Sequence, residues 1–471
     1  MPYIQLNVIV AGGGIAGLTA ALALRRQGHA VTVVESSAWL REAGLAVTVP
    51  PNATRTLIEL GVDPKRDAKA ATLRTSQEYH FLSKDESPKF GENGDSRPLP
   101  WASRAAASNV QGLFSLTHRV DLHNALKDKC ISSTGPGKPV EVLLSSRVIG
   151  WDPAGSIKLH GGKEMHADLI VAADGIHSLA HEPILGHRVP VIPSGVSTIR
   201  FLLKTEDILN DPATASVMDD GPGSFTFYVN ADRSTYLLRY PCHNDEMQNF
   251  GAYTVPGNNK NLAGEKVSRA DLVKRLSTLP PVFQALGQKA DEYVWDWKIA
   301  DREPIPTYHK DRLVLVGDAA HPMYPRQGQG AAQSIEDAAT LGILMSQLED
   351  KADIAKRLEL YDELRVKRTS IVQQLSRSRE GVRQPQGGDD VAEPLSEEFL
   401  AAFRKFSSSA TDPVDYIQLS HWMWAHDPKQ QAETLLARSK QHTSPGEFNR
   451  PELRPSAPMH AEVPTLLRTS L

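Results

Sequence analysis

The chain has 471 residues, with 52 Lys and Arg against 56 Asp and Glu, for a formal net charge of −4. At roughly 150 residues per domain the length suggests about three domains' worth of material, enough to bury large cores without staples. Two cysteines, Cys130 and Cys242, exclude a disulfide framework and any multi-cysteine zinc or iron–sulfur centre, and the slightly acidic balance offers no global positive field to nucleic acid.

The uncharged run 8–24, VIVAGGGIAGLTAALAL, is shorter than the about 20 apolar residues of a spanning helix. It is rich in glycine, and its arginines follow rather than precede it, unlike a signal peptide. It reads instead as a strand over 6–10, a turn and a helix over 15–27, with a second strand over 30–34. With no other long apolar run, a cytoplasmic protein without a membrane span is expected. Segment 50–61 predicts a helix capped by Asn52 and closed by Gly61. Residues 83–109 predict an extended surface loop, and 117–130 a helix with Thr117 as its cap. From about 190 to 300, STIRFLLK, SFTFYVNA, STYLLRY and YVWDWKIA are rich in aromatic and β-branched residues and predict a sheet domain. RLVLVGDAA at 312–320 returns to a buried parallel strand. Helices are predicted over 330–348 and 352–380, a linker over 384–393 and a short helix near 396–406. Five prolines in the last 28 residues predict an extended or disordered tail.

AGGGIAG follows the first strand and opens the first helix. Gly12 allows the tight turn, Gly14 lets backbone approach a pyrophosphate, and Gly17 lets helix and sheet pack closely. The pyrophosphate would sit at the helix N-terminus, where N–H groups and the positive dipole end face it. The acid that holds a ribose should follow about 20 residues on, and Glu35 ends the second strand. Strand, glycines, helix, strand and acid together signal a dinucleotide. Two further buried strands end in Asp174-Gly175 (LIVAADGIHS) and Gly317-Asp318 (LVLVGDAAHPMYPRQGQGAAQSIEDA). An aspartate just past a strand, among small residues, can approach a sugar. The QGQGAA turn enters a helix whose free N–H groups suit a developing anion.

With GGGIAG, AADGIHS and GDAAHPMYPRQGQGAAQSIEDA in this order, the chain resembles the class A flavoprotein monooxygenases of the p-hydroxybenzoate and salicylate hydroxylase type. EAGLAVTVPPNATRTL, THRVDLHNAL and WKIADREPIP resemble lesser features of that family, so the resemblance runs from about 6 to 345. It implies an α/β fold: a Rossmann-like FAD domain from 1–180 and 290–345, an inserted mostly β substrate domain over 181–289, a helical region over 346–443 and a proline-rich tail over 444–471. It implies FAD held by Gly12, Gly14, Gly17 and Glu35, with Ala46 where the family often has glycine. Arg119 would lie along the phosphate or ribityl part, and Asp174 in the motif shared with the nicotinamide. Asp318 would bind ribityl or ribose hydroxyls, Gly330 and Ala331 would offer N–H groups to the flavin edge, and Pro325 would lie beside the reactive flavin face. His321 is expected to be a packed structural histidine. The family pattern places an arginine three residues after Ser178, where this chain has His181.

The implied reaction is reduction of FAD by NADPH or NADH, addition of O2, and delivery of one oxygen atom from a peroxyflavin to an electron-rich aromatic substrate. Arg200 matches a position where some fungal dearomatising relatives keep a strand arginine. Tyr228 and Tyr236 are candidate hydrogen-bond partners; Tyr240 and Arg239 rank below them. A flavin-dependent halogenase is the nearest alternative, because WDWKI at 295–299 echoes that family's WxWxIP. A disulfide-type flavin reductase lacks its cysteine pair, and a non-catalytic flavin-binding protein is the alternative from another class. The histidines are scattered, so no metal site is expected. No nucleic-acid partner is expected, and a homodimer is left open.

Overall fold

A computed structural model of the chain describes residues 3–38, 45–85, 88–90, 96–98, 113–254, 264–377, 397–406 and 416–441. The linker expected at 384–393, the proline-rich tail and most of the loop expected at 83–109 lie outside the described residues.

The apolar runs form a six-stranded sheet in the order His309–Lys310, Leu313–Leu315, Leu169–Ala172, Asn7–Ala11, Ala30–Val34 and Glu141–Leu143. All neighbours are parallel except the first hairpin. Continuous burial of Leu169–Ala172 and of Leu313–Leu315 fits strands covered on both faces. Helix Ile15–Arg26 packs on this sheet and against helix Gly330–Leu344, where Gly342 lets the two approach: a Cβ there would lie 2.9 Å from the Ala23 Cβ.

The second large element is an eight-stranded sheet. Its order is Glu265–Ser268, Tyr293–Asp301, Ile192–Lys204, Met247–Thr254, Thr235–Cys242, Ser224–Val229, Thr75–His80 and Ser96–Pro98. Two strands therefore come from within 1–180, and Tyr293–Asp301 lies beyond 289, so the sheet is wider than the insert read from the sequence. The segment 75–80, TSQEYH, was hidden because its alternation is polar on both faces until sheet neighbours cover it.

One face of this sheet is apolar core, with Ile199, Phe201, Leu203, Tyr228, Leu237, Phe250 and Ala252 packed on helices Arg269–Leu276 and Pro281–Gln288. Alternation sends Thr198, Arg200, Tyr236, Tyr240 and Tyr253 to the other face, toward the parallel sheet. A small sheet of Ala46–Val49, Ser115–His118 and Ala71–Thr72 joins the two halves.

Two expected caps are corrected. Helix Pro51–Glu59 starts after Pro50, and Asn52 is inside it, its Nδ2 donating to Glu336 at 2.6 Å. Helix Arg119–Ile131 has His118 as its N-cap, while Thr117 is buried in the preceding strand. Proline at the first helical turn and strand continuity outweigh the capping preference. The aromatic pair Trp422 and Trp424 belongs to helix Tyr416–Ala425, and Arg55 donates to the Trp424 carbonyl. Among the described residues no helix is long and apolar enough to cross a membrane.

Candidate functional site

The glycine loop is fixed by backbone contacts. Gly12 has φ +108°, and a Cβ there would lie 2.3 Å from the Ala173 oxygen. A Cβ on Gly17 would lie 1.9 Å from the Gly12 oxygen, whereas one on Gly14 meets nothing within 4 Å. Gly12 and Gly17 thus close the turn, and Gly14 leaves a bare backbone facing open space. Helix Ile15–Arg26 has no side-chain cap and no acid in its first turn, so its leading N–H groups face outward unanswered by a carboxylate.

Glu35 holds the loop from the second strand. Its Oε2 accepts from the Gly13 N–H at 2.7 Å and its Oε1 from the Ser37 N–H at 2.6 Å. Burial opposes its charge, but these hydrogen bonds win and keep its pKa below the usual carboxylate range. On the other side, Nε2 of buried His123 meets the Gly13 carbonyl at 2.7 Å, a contact the sequence did not signal.

Asp174 and Asp318 stand just past two adjacent strands. Both side chains are exposed by area, yet surrounding protein desolvates them and raises both pKa values, that of Asp174 to about 6. Exposure together with desolvation marks the wall of a deep cleft rather than an outer surface. The charges of His321 and Arg119 act on Asp318 in the opposite sense, which places Arg119 near it. Arg302 lies against the Asp174 loop, donating to the Ile176 and Ser178 carbonyls, with Nη1 3.2 Å from Nδ1 of His181. The guanidinium beside this loop therefore comes from the DREP segment, 121 residues after His181.

Gly317 has φ +62°, and a Cβ there would lie 2.8 Å from both the Ala16 Cβ and the Ser334 Oγ. The turn is clamped from below. Asp337 Oδ2 accepts from the Gly317 N–H at 2.8 Å and lies 2.6 Å from His321 Nε2, and Arg365 Nε donates to Oδ1 at 2.7 Å. Glu336 binds Arg365, Arg368 and Asn52, and His426 approaches it at 3.5 Å. The acidic pair of QSIEDA is thus a buried ion network that sets where helix Gly330–Leu344 begins. That helix, too, starts without a side-chain cap or an early acid, so Gly330 and Ala331 open onto the cleft at its positive end. Pro325 is exposed on the adjoining turn Pro325–Gln327.

Across from these turns lies the polar face of the eight-stranded sheet. Arg200 Nη2 donates to the Ala46 carbonyl at 3.4 Å, Tyr240 Oη donates to the same oxygen at 3.0 Å, and the Ala46 N–H donates to Asn249 at 3.2 Å. Ala46 is the joint between the two halves, and its polar backbone atoms face the sheet. Arg200 Nε, Thr198 Oγ1 and Asn249 Nδ2 are buried here without hydrogen-bond partners among the described residues. Three orphaned groups on one face demand a polar ligand or ordered water. Tyr236 stacks on Tyr253 at 4.6 Å, and the Arg326 charge reaches it from the Pro325 turn.

Tyr228 is corrected. It points to the opposite face, where its hydroxyl accepts from Arg239 Nε at 3.1 Å and its ring packs 4.7 Å from Phe283. It is a core residue, because one step along a strand exchanges the two faces. Tyr253, Asn249 and Thr198 were missed; the register of their strands is the signal that finds them.

The sequence matches the family model described as an FAD binding domain over residues 5–133 and 152–377. An FAD-dependent monooxygenase of Diaporthe leptostromiformis is 33% identical over 391 residues, 82% of this chain and 93% of the relative. Hispidin-3-hydroxylase of Neonothopanus nambi is 30% identical over 385 residues, 78% of this chain and 87% of the relative. A solved salicylate hydroxylase substrate complex shares the fold with a TM-score of 0.66 and 23% identity, covering 92% of this chain and 98% of that one.

Proposed function

The chain belongs to the FAD-dependent monooxygenases, and from that premise we propose that its substrate is an electron-rich aromatic compound of the phenolic class, held on the Arg200 face of the large sheet. The named relatives include an enzyme on hispidin, and a neighbour in fold acts on salicylate; both names point the same way.

The residues fit FAD. The bare backbone at Gly14 and the uncapped helix start suit its pyrophosphate, Glu35 a ribose, Asp318 and Arg119 the linking chain, and the Gly330 helix start the flavin ring. When bound, FAD accepts a hydride from NADPH or NADH and activates O2. The chain's own groups then position and screen. Gly330 and Ala331, at the uncapped helix start, would offer N–H groups to negative charge on the flavin. Asp174, with Arg302 behind its loop, would form the wall shared with the nicotinamide. Tyr236 and Tyr253 present a stacked apolar wall, and Pro325 closes the turn opposite.

The observation that carries the proposal is Arg200. Its guanidinium is partly buried, bound on one side to Ala46, with Nε unpartnered. A fixed cation there binds a phenolate or enolate oxygen and so raises electron density on the ring to be oxidised. Arg200→Ala is expected to lower kcat/KM by about 100-fold or more, the cost of losing one aimed donor, with FAD content unchanged. Full turnover in this variant, on a substrate oxidised by the parent enzyme, would show that the arginine only braces Ala46.

A further inference from the structure

The histidines scattered through the sequence do not stay scattered. His118 ends the strand before helix Arg119–Ile131, Asp121 stands in that helix's first turn, and His243 lies in the turn between strands Thr235–Cys242 and Met247–Thr254. The fold brings one ligand atom of each within 4.8 Å of the others. Asp121 Oδ2 faces both imidazoles, 2.6 Å from His243 Nδ1 and 3.8 Å from His118 Nδ1. We propose that these three residues bind one divalent transition-metal ion, of the zinc type, that clasps the FAD-binding half to the substrate sheet.

Donor chemistry selects the ion. Two imidazoles and one carboxylate suit zinc and its neighbours and disfavour magnesium or calcium, which take oxygen ligands. Bonds of about 2.0–2.2 Å at tetrahedral angles put ligand atoms roughly 3.3–3.6 Å apart. The two Asp121 separations bracket that range and the two imidazole nitrogens lie within 4.8 Å of each other, so side-chain movements of about 1 Å complete the set. All three residues are partly buried and line a cavity of about 910 Å³, which leaves room for a water as the fourth ligand.

The surroundings contain an orienting acid and a competitor. Exposed Glu246 has Oε2 3.8 Å from His243 Nε2, the ring nitrogen turned away from Asp121, so a small rotation brings a carboxylate to the position that orients a metal-bound imidazole. Lys69 Nζ lies 3.4 Å from the same nitrogen, but its side chain is exposed and free to swing aside. The positive end of the helix opposes a cation. The cavity answers it with Asp121, Glu206, Asp245 and Glu246 against Lys204 and the nearby Lys69. His243, Asn244 and Asp245 hold φ of +51°, +55° and +65°, a left-handed run that His, Asn and Asp tolerate better than most residues and that sets His243 against Asp121.

The test uses the FAD-loaded full chain, treated with chelator, and zinc chloride as the probe in isothermal titration, with X-ray absorption at the zinc edge. The expected result is one equivalent bound at micromolar affinity or tighter, an absorption spectrum with two imidazole ligands, and a higher melting temperature with zinc. His243→Ala and Asp121→Asn should each weaken binding about 100-fold or more, beyond the 10- to 100-fold effect of losing an outer partner. Lys69→Ala should tighten it, a gain that a damaged fold cannot mimic. No heat at one equivalent, or zinc affinity that ignores His243 and Lys69 alike, overturns the site.

Discussion

His426 shows how far one side chain can be coupled to the frame of the site. Its side chain is 8% exposed and 3.5 Å from Glu336. Burial first, and the Arg368 charge next, push its pKa down to about 3, with Glu336 opposing. The unfolded imidazole titrates near 6.5, so between these values the unfolded chain binds more protons than the folded one. The stability contributed by the neutral ring is full above about pH 6.5 and is lost as pH falls toward 3. His426→Gln should flatten that acid slope, which melting temperatures across pH 7 to 4 would show; an unchanged slope would mean the ring stays solvated. Asp174 behaves in the opposite sense. Its pKa is raised to about 6, so the folded state holds its proton longer than the unfolded one, and stability falls as pH rises from about 4 to 6. Without FAD, Asp174→Asn should therefore raise the melting temperature at pH 7 more than at pH 4.

At the scale of elements, the glycine loop and the paired helices behave differently under substitution. Gly12→Ala and Gly17→Ala drive a Cβ into backbone oxygen at 2.3 and 1.9 Å, so the loop must leave its strand. Both should lower the melting temperature and abolish flavin binding. Gly14→Ala meets no protein atom, so it should fold with the parent's stability and still bind FAD more weakly. Parent-like flavin absorbance in Gly14→Ala would remove the phosphate from that loop. Arg365 joins helix Asp353–Arg377 to Glu336 and Asp337 with both acids fully buried. Arg365→Leu removes the one cation shared by both carboxylates, leaving Glu336 with Arg368 and Asn52 and Asp337 with His321 and the Gly317 N–H, and should still cost about 3 kcal/mol, read from the urea midpoint.

These elements also show what the sequence made legible. The strand–glycine–helix–strand–acid pattern is local, and its parts stand where local rules put them: strand Asn7–Ala11, helix Ile15–Arg26, strand Ala30–Val34. Asp174 and Asp318 were readable because buried apolar runs announce the strands they follow. The face of Tyr228 was not readable. In SFTFYVNA apolar residues alternate on both sides, and only the pairing of Thr226 with Arg239, and so of Tyr228 with Leu237, shows which side meets the core. Asn52, Glu336 and Arg365 lie as many as 313 residues apart in sequence, so their shared network has no local signal. Separation along the chain likewise hid His118 and His243 from one another.

At the scale of the molecule, two sheets face one another across the cleft. The parallel sheet and its two uncapped helix starts present N–H groups and acids, and the wide sheet presents Arg200, Tyr236, Tyr240 and Tyr253. Ala46 ties the two halves through its backbone, so the guanidinium and the flavin-binding turns keep a fixed relation. With the proposed substrate in place, such an arrangement would exclude water from an aromatic ring set between the Arg200 guanidinium and bound FAD. The Trp295 and Trp297 pair that echoes the halogenases lies stacked and 46% and 40% exposed on the outer part of that sheet, not enclosed in the cleft.

The most direct measurement supplies FAD, NADPH or NADH and isotopically heavy O2 to the enzyme with a panel of phenolic compounds, and weighs the products. The expected product carries one heavy oxygen atom on the ring, formed by the parent enzyme and suppressed in Arg200→Ala. Reduced nicotinamide consumed with every compound while all the heavy oxygen appears as hydrogen peroxide, or a product that forms only with added halide, would contradict it.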